Sequence, residues 1–104
     1  MDARMNPDNA AEGFTAMGST ARLEVLRALV RAGRAGRPVS WIQEALGIPA
    51  STLTHHLKML ADAGLIIQEK SGRSIISRAN YDRLEALAAF ILSECCSEEG
   101  CSND

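Results

Sequence analysis

Cysteine is absent from the first 94 of the 104 residues, and aromatic residues make up only 4% of the chain. No apolar run approaches the roughly 20 residues that a membrane-spanning helix needs. A scaffold stapled throughout by disulfides is therefore not expected, and neither is a membrane-spanning helix in this stretch of chain. The opening stretch, Met1 to Pro7, has neither the apolar core nor the cleavage pattern of a secretory signal. An odd number of cysteines without an export signal predicts the reducing cytoplasm. No nucleophile or carboxylate constellation accompanies the two histidines, His55 and His56. No Cys-x-x-Cys sits on a βαβ pattern, so the reading is of a non-enzyme with no cofactor for catalysis.

What the chain does have is alanine and leucine, within a hydrophobic share of 46%. That composition favours helices in a single domain spanning 1–104. A chain this small and this poor in large side chains often completes its core by pairing, and a homodimer is expected. Net charge is −2, but its distribution is uneven. Residues 20–80 carry nine Lys or Arg against four Asp or Glu, while both ends are acidic. A basic middle between acidic ends suits phosphate neutralisation, although helix faces of mixed charge would look alike on this count alone.

The periodicity predicts a short helix over 9–17, then a helix from Ala21 to Ala32 with Ser19 or Thr20 as its cap. Gly33 and Gly36 end it in a basic loop with Arg34 and Arg37. Ser40-Trp41-Ile42-Gln43 reads as a capping box opening a helix to Leu46. Gly47 closes that helix, and another is predicted from about Ala50 to Ala63, stopped at Gly64. Two short helices over 38–63, joined by a turn containing glycine, form a helix-turn-helix. Two β-prone runs within 65–79, separated by Ser71-Gly72, read as a hairpin or wing. Asn80 caps a last helix running to about Glu94, and 95–104 is a cysteine-containing tail. The fold class is mainly α with a β-hairpin (α+β), a dimeric winged helix-turn-helix whose dimerisation helices are 9–17 and 80–94.

At 100° per residue, Leu53, Leu57 and Leu60 share one side of the fourth helix, opposite Ser51, His55, Lys58 and Asp62. Thr52 and Thr54 lie on its flanks near the N-terminal end that reaches bases. Hydroxyls, an imidazole and a lysine on one face suit base edges and phosphates. His55 points outward, whereas His56 leans toward the leucines and is expected to be packed and hydrogen-bonded. At the wing tip, Lys70 and Arg73 flank a turn small enough to approach DNA. The predicted DNA-binding set is Ser51, Thr52, Thr54, His55, Lys58, Lys70 and Arg73, and the predicted partner is double-stranded operator DNA.

These residues resemble the ArsR/SmtB family of winged-helix repressors. Ser19 to Leu26 is similar to the start of the family's second helix. Ser51 to Leu60, with Ala63-Gly64-Leu65, resembles its recognition helix and the exit into the wing. Gly72-Arg73 resembles the wing tip. The resemblance spans about residues 10–92. It implies a homodimer joined through the first and last helices, an operator of two-fold symmetry, and DNA release on binding a metal or metalloid. Three departures stand out. Pro49 replaces the usual polar helix cap, Val39 to Ile42 replaces a Cys-x-Cys pattern, and the last helix has no histidines.

Any sensing is thereby left to the tail, where Cys95, Cys96 and Cys101 fall within seven residues. Cysteines used for packing are scattered through a core, whereas three soft ligands on a short tether suit a thiophilic ion or a redox event. Some arsenic-responsive members of the family carry such a cluster. Trivalent arsenic can exchange three hydroxyls for three thiolates, so arsenic(III) is the expected inducer, and antimony(III) should behave alike. Zinc prefers four tetrahedral ligands and would need Glu98, Glu99 or water. A reversible disulfide from Cys101 to Cys95 or Cys96 is the alternative chemistry.

Overall fold

The computed structural model describes residues 5–100; Cys101 lies outside the described residues. The chain forms α1 (Pro7–Ala16), α2 (Thr20–Ala32), β1 (Arg37–Pro38), α3 (Val39–Leu46), α4 (Ala50–Asp62), β2 (Ile66–Ser71), β3 (Ser74–Ala79) and α5 (Tyr81–Ile91), with a 3₁₀ turn at Ser97–Glu99. Among the described residues no helix is long and apolar enough to cross a membrane.

Local chemistry explains most boundaries. α1 begins two residues before the predicted start, because Asn6 accepts from the Asn9 amide at 2.8 Å and Pro7 occupies the first helical position. Ser19 caps α2, accepting from the Arg22 amide at 3.1 Å. α4 ends in a Schellman arrangement: the Leu65 amide donates to the Leu60 carbonyl and the Gly64 amide to the Ala61 carbonyl, both at 2.9 Å. Gly64 supplies the left-handed residue this requires, with φ 77°. α5 stops at Ile91, earlier than expected, with no glycine cap after it. Glu94 would have added negative charge to a helix end that already carries a partial negative charge.

Two predicted details are corrected. Ser40 does not cap α3; the cap is Pro38, with no side-chain bond, and Ser40 is the second helical residue. The cause is a strand that periodicity could not reveal. Arg37 and Pro38 pair with Ser77 and Ile76 as β1, making a three-stranded antiparallel sheet of order β1-β3-β2. That pairing holds Pro38 extended, so the helix starts immediately after it. The hairpin turn also lies one residue later than predicted. Ser71 pairs with Ser74, leaving Gly72-Arg73 as the two-residue loop. Gly72, with φ 62°, takes the first central position, where a glycine is preferred in one of the two common hairpin turns.

The core is a single leucine-rich cluster. Leu53, Leu57 and Leu60 of α4 are fully or almost fully buried with Val25, Leu26 and Leu29 of α2, Ile42 of α3, Leu65, and Leu87 of α5. Truncating one such leucine to alanine costs about 2–5 kcal/mol. The buried Ser77 hydroxyl accepts from Gln68 Nε2 at 3.0 Å, so this polar group in the sheet is satisfied. α1 lies close on α5, because a Cβ at Gly13 would come within 2.8 Å of Leu87 Cδ1.

Gly36 is required twice over. Its φ is 76°, and a Cβ there would sit 2.5 Å from the Ser77 carbonyl oxygen. Gly33 has φ 93° but open space around it. Gly36→Ala should therefore cost more stability than Gly33→Ala, by about 1–3 kcal/mol, as the cost of forced overpacking is added to the shared backbone strain. Urea denaturation of the two variants measures the difference.

Candidate nucleic-acid interface and thiol tail

α4 presents its polar side to solvent: Ser51, Thr52, Thr54, His55 and Lys58 are all exposed. Its first turn lacks a side-chain cap, since Pro49 precedes it. The early amide donors on this helix are therefore left to solvent or a ligand. On the wing Lys70 and Arg73 are both exposed, with Arg73 inside the turn itself. Between helix and wing runs an open groove of about 400 Å³, whose lining includes Thr54, Lys58, Gln68, Lys70 and Ile75. Three of the residues predicted to touch DNA thus share one concavity. Ser51, Thr52, His55 and Arg73 do not line it.

Lys58 is engaged with Asp62 one turn on, Nζ to Oδ2 at 3.1 Å, with both side chains largely exposed. An exposed pair of this kind is worth about 0–1 kcal/mol, so the ammonium is readily given up to a phosphate. Across the wing, Arg78 donates to the Glu69 carboxylate.

His56 departs from expectation. It is partly buried as predicted, but its Nδ1 is enclosed and has no hydrogen-bond partner among the described residues. The leucine side of α4 offers packing but no acceptor. Burial holds its pKa below the ordinary 6.5, and the charges of Arg22 and His55 push in the same direction.

A second polar assembly escaped the sequence reading. Asn80 caps α5, its side chain accepting from the Arg83 amide at 3.3 Å, as predicted. The same side chain also donates through Nδ2 to the Gly64 carbonyl at 2.9 Å, and the Asn80 amide donates to the Leu65 carbonyl at 2.9 Å. Arg83 donates in turn to the Asn9 side chain and, at 3.0 Å, to the Asn9 carbonyl. The start of α5 is thus fastened to the exit of α4 and to α1. No spacing in the sequence signals bonds across 16 and 74 residues.

In the tail, Cys95 and Cys96 are exposed, and their sulfurs lie 3.6 Å apart. Cys96 has φ 61°, a left-handed conformation that is uncommon for a residue with a side chain. The predicted third thiol, Cys101, lies outside the described residues. Among those described, no group of three His, Cys, Asp or Glu is placed to hold a metal ion.

Comparison with known proteins agrees with this geometry. Residues 17–69 match the family described as helix-turn-helix domain. The HTH-type transcriptional regulator NmtR of Mycobacterium tuberculosis is 35% identical over 57 residues, which is 55% of this chain and 44% of that protein. The chain thus matches less than half of that relative's length. An ArsR-like transcriptional regulator from Rhodococcus sp. RHA1 superposes with a TM-score of 0.74 at 29% identity, over 89% of this chain and 84% of that one. The homodimeric winged helix-turn-helix DNA-binding domain of a possible ArsR-family regulator from Mycobacterium bovis gives 0.66 at 25% identity, over 91% and 93%.

The His56 environment sets a direction for pH. The unfolded chain takes up this proton before the folded one, so the stabilisation is complete above about pH 6.5 and is lost as the pH falls through the lower folded-state midpoint. Denaturation midpoints at about pH 7.5 and about pH 5 should fall less in His56→Gln than in the parent. Imidazole titration by NMR should place His56 below 6.5.

Proposed function

The chain belongs to the helix-turn-helix domain family, in the ArsR/SmtB winged-helix group, and from that premise we propose a metalloid-responsive repressor of transcription acting in the cytoplasm. It binds operator DNA as a homodimer. Ser51, Thr52, Thr54 and His55 read base edges from α4 in the major groove, while Lys58, Lys70 and Arg73 hold phosphates. The observation that carries this reading is the convergence of Thr54, Lys58 and Lys70 on the groove between α4 and the wing. Hydroxyl and imidazole groups suit hydrogen bonds to bases, and the cations suit the backbone.

Dimerisation is supported by apolar surface that one copy leaves uncovered. Ile91 and Leu92 at the end of α5 are 64% and 65% exposed. Phe14, Met17, Leu84 and Phe90, in or next to the two terminal helices, are only partly buried. The M. bovis domain of similar fold is homodimeric. A two-fold dimer would present two α4 helices to half-sites about 34–36 Å apart.

The inducer is trivalent arsenic, or antimony in the same chemical state, held by Cys95, Cys96 and Cys101. The 3.6 Å approach of the first two sulfurs, both exposed, supports a shared ligand. Closing a three-sulfur ring at the end of α5 would alter how that helix packs against its partner. Its other end is fastened through Asn80 to the exit of α4. Small rotations at a dimer seam move both reading heads, and fixed half-site spacing tolerates little of that.

The test is binding to DNA from upstream of the chain's own coding sequence, followed by anisotropy. Thr54→Ala or His55→Ala should each weaken operator binding by about 1–3 kcal/mol, the worth of one base-edge recognition, and relax sequence preference. Light scattering should give twice the chain mass. Arsenite should release the DNA at one arsenic per subunit, while the triple Cys→Ser protein binds DNA and ignores arsenite. Release of that triple variant by arsenite removes the tail from the mechanism. Release by peroxide alone would favour the disulfide chemistry.

A further inference from the structure

From Val25 to Gln43 the chain carries Arg27, Arg31, Arg34 and Arg37 and no acidic residue. All four are exposed, and none has a carboxylate partner among the described residues. Lys58 and Arg78 do have such partners, Asp62 and Glu69. Arg27 and Arg31 lie four apart on α2, where like charges mildly destabilise a helix. A surface built only for solubility intersperses both signs. A run of one sign without counter-ions points instead to an anionic partner.

Two of these arginines are held in place. The Arg34 guanidinium carbon lies 4.7 Å from the centre of the Tyr81 ring, and that of Arg37 lies 4.5 Å from the Trp41 ring. Such stacks occur roughly once per 70–80 residues, so two within four positions mark a local arrangement rather than chance. Stacking fixes the plane of the guanidinium and leaves its N–H edges free to donate, the form in which arginine grips phosphate. Both supports are anchored, Trp41 by packing against the core. Tyr81 donates its hydroxyl to the Val30 carbonyl at 2.9 Å. The loop between the arginines lies against β3 at Gly36.

Position selects the partner. Arg37 pairs with Ser77 on β3, the strand that begins beside the wing tip. It lies three residues along from Ser74, or about 10 Å at the strand rise of roughly 3.3 Å per residue. That is about three base-pair steps of duplex, so Arg37 prolongs the cationic edge of the wing, and Arg34 follows at the base of the hairpin beside Ile67, Arg78 and Tyr81.

We propose that Arg34 and Arg37 form a second phosphate-binding edge that grips duplex DNA alongside the α4 reading head. The inference rests on the DNA-binding reading above. It assigns these residues to the backbone and not to bases. Each phosphate neutralised contributes about 0.9 to the slope of log affinity against log salt.

The experiment measures that slope on operator duplex and on random-sequence duplex. Arg34→Gln with Arg37→Gln should lower the slope by about 2 for each subunit engaged. The preference for operator over random sequence should stay unchanged. The Lys pair should keep most of the slope, because phosphate binds either cation, and circular dichroism checks that each variant is folded. Unchanged slopes in a folded Gln pair overturn the proposal and leave an acidic protein as the fitting partner. A Lys pair as impaired as the Gln pair also overturns it, since charge would not be the cause. If Arg73→Gln lowers the slope while the Gln pair does not, the DNA reading survives and this edge fails. A parent protein that ignores duplex DNA sinks both.

Discussion

Burial of the leucine seam of α4 is the constraint on which the molecule turns. Leu53, Leu57 and Leu60 have no accessible surface to spare and lock the helix against α2 and the sheet. Because their spacing is helical, the opposite side must face water. The polar residues there are thus presented rigidly on a regular element. Their geometry is inherited from the core, and the loops that connect α4 need only begin and end it. Pro49 and the Gly64 exit do so within a few residues.

Around that seam the structure divides its polar chemistry in two. Bonds that fasten elements together are short, partly buried and directional: Asn80 to Gly64, Arg83 to Asn9, and Arg22 Nε to the Ala16 carbonyl at 2.6 Å. Charges on the outer surface include a weakly paired one, Lys58, and two stacked on rings, Arg34 and Arg37. Fastened groups resist rearrangement, while the outer ones are free to exchange water and counter-ions for phosphate. His56 belongs to neither set. Its enclosed Nδ1, without a partner among the described residues, costs stability.

The tail and α4 are distant in the chain, and α5 runs from a bond with the exit of α4 toward the tail. α5 is capped by the residue that bonds the exit of α4, and it stops at Ile91, a few residues before the exposed Cys95 and Cys96. Ile91 and Leu92, exposed at that end, make it sensitive to whatever covers it.

Much of this was legible in the order of residues. The leucine spacing of α4, the caps Ser19 and Asn80, the glycines at 33, 47 and 64, and the clustering of every cysteine in the tail are local patterns. Local patterns are set by helical and turn geometry, which a sequence carries directly. β1 was not legible, because two residues that include a proline have no periodicity, and only the backbone of β3 makes them a strand. The misplaced cap at Ser40 and the one-residue shift of the wing turn follow from the same limit, since register is decided between strands. Likewise Asn80 was readable as a cap but not as a clamp on Gly64, nor were the rings beneath Arg34 and Arg37. The sequence by itself determined which face of α4 is buried and where the glycine-closed helices stop. Tertiary structure alone decided which distant groups meet, because those bonds form only after the core has brought their elements together.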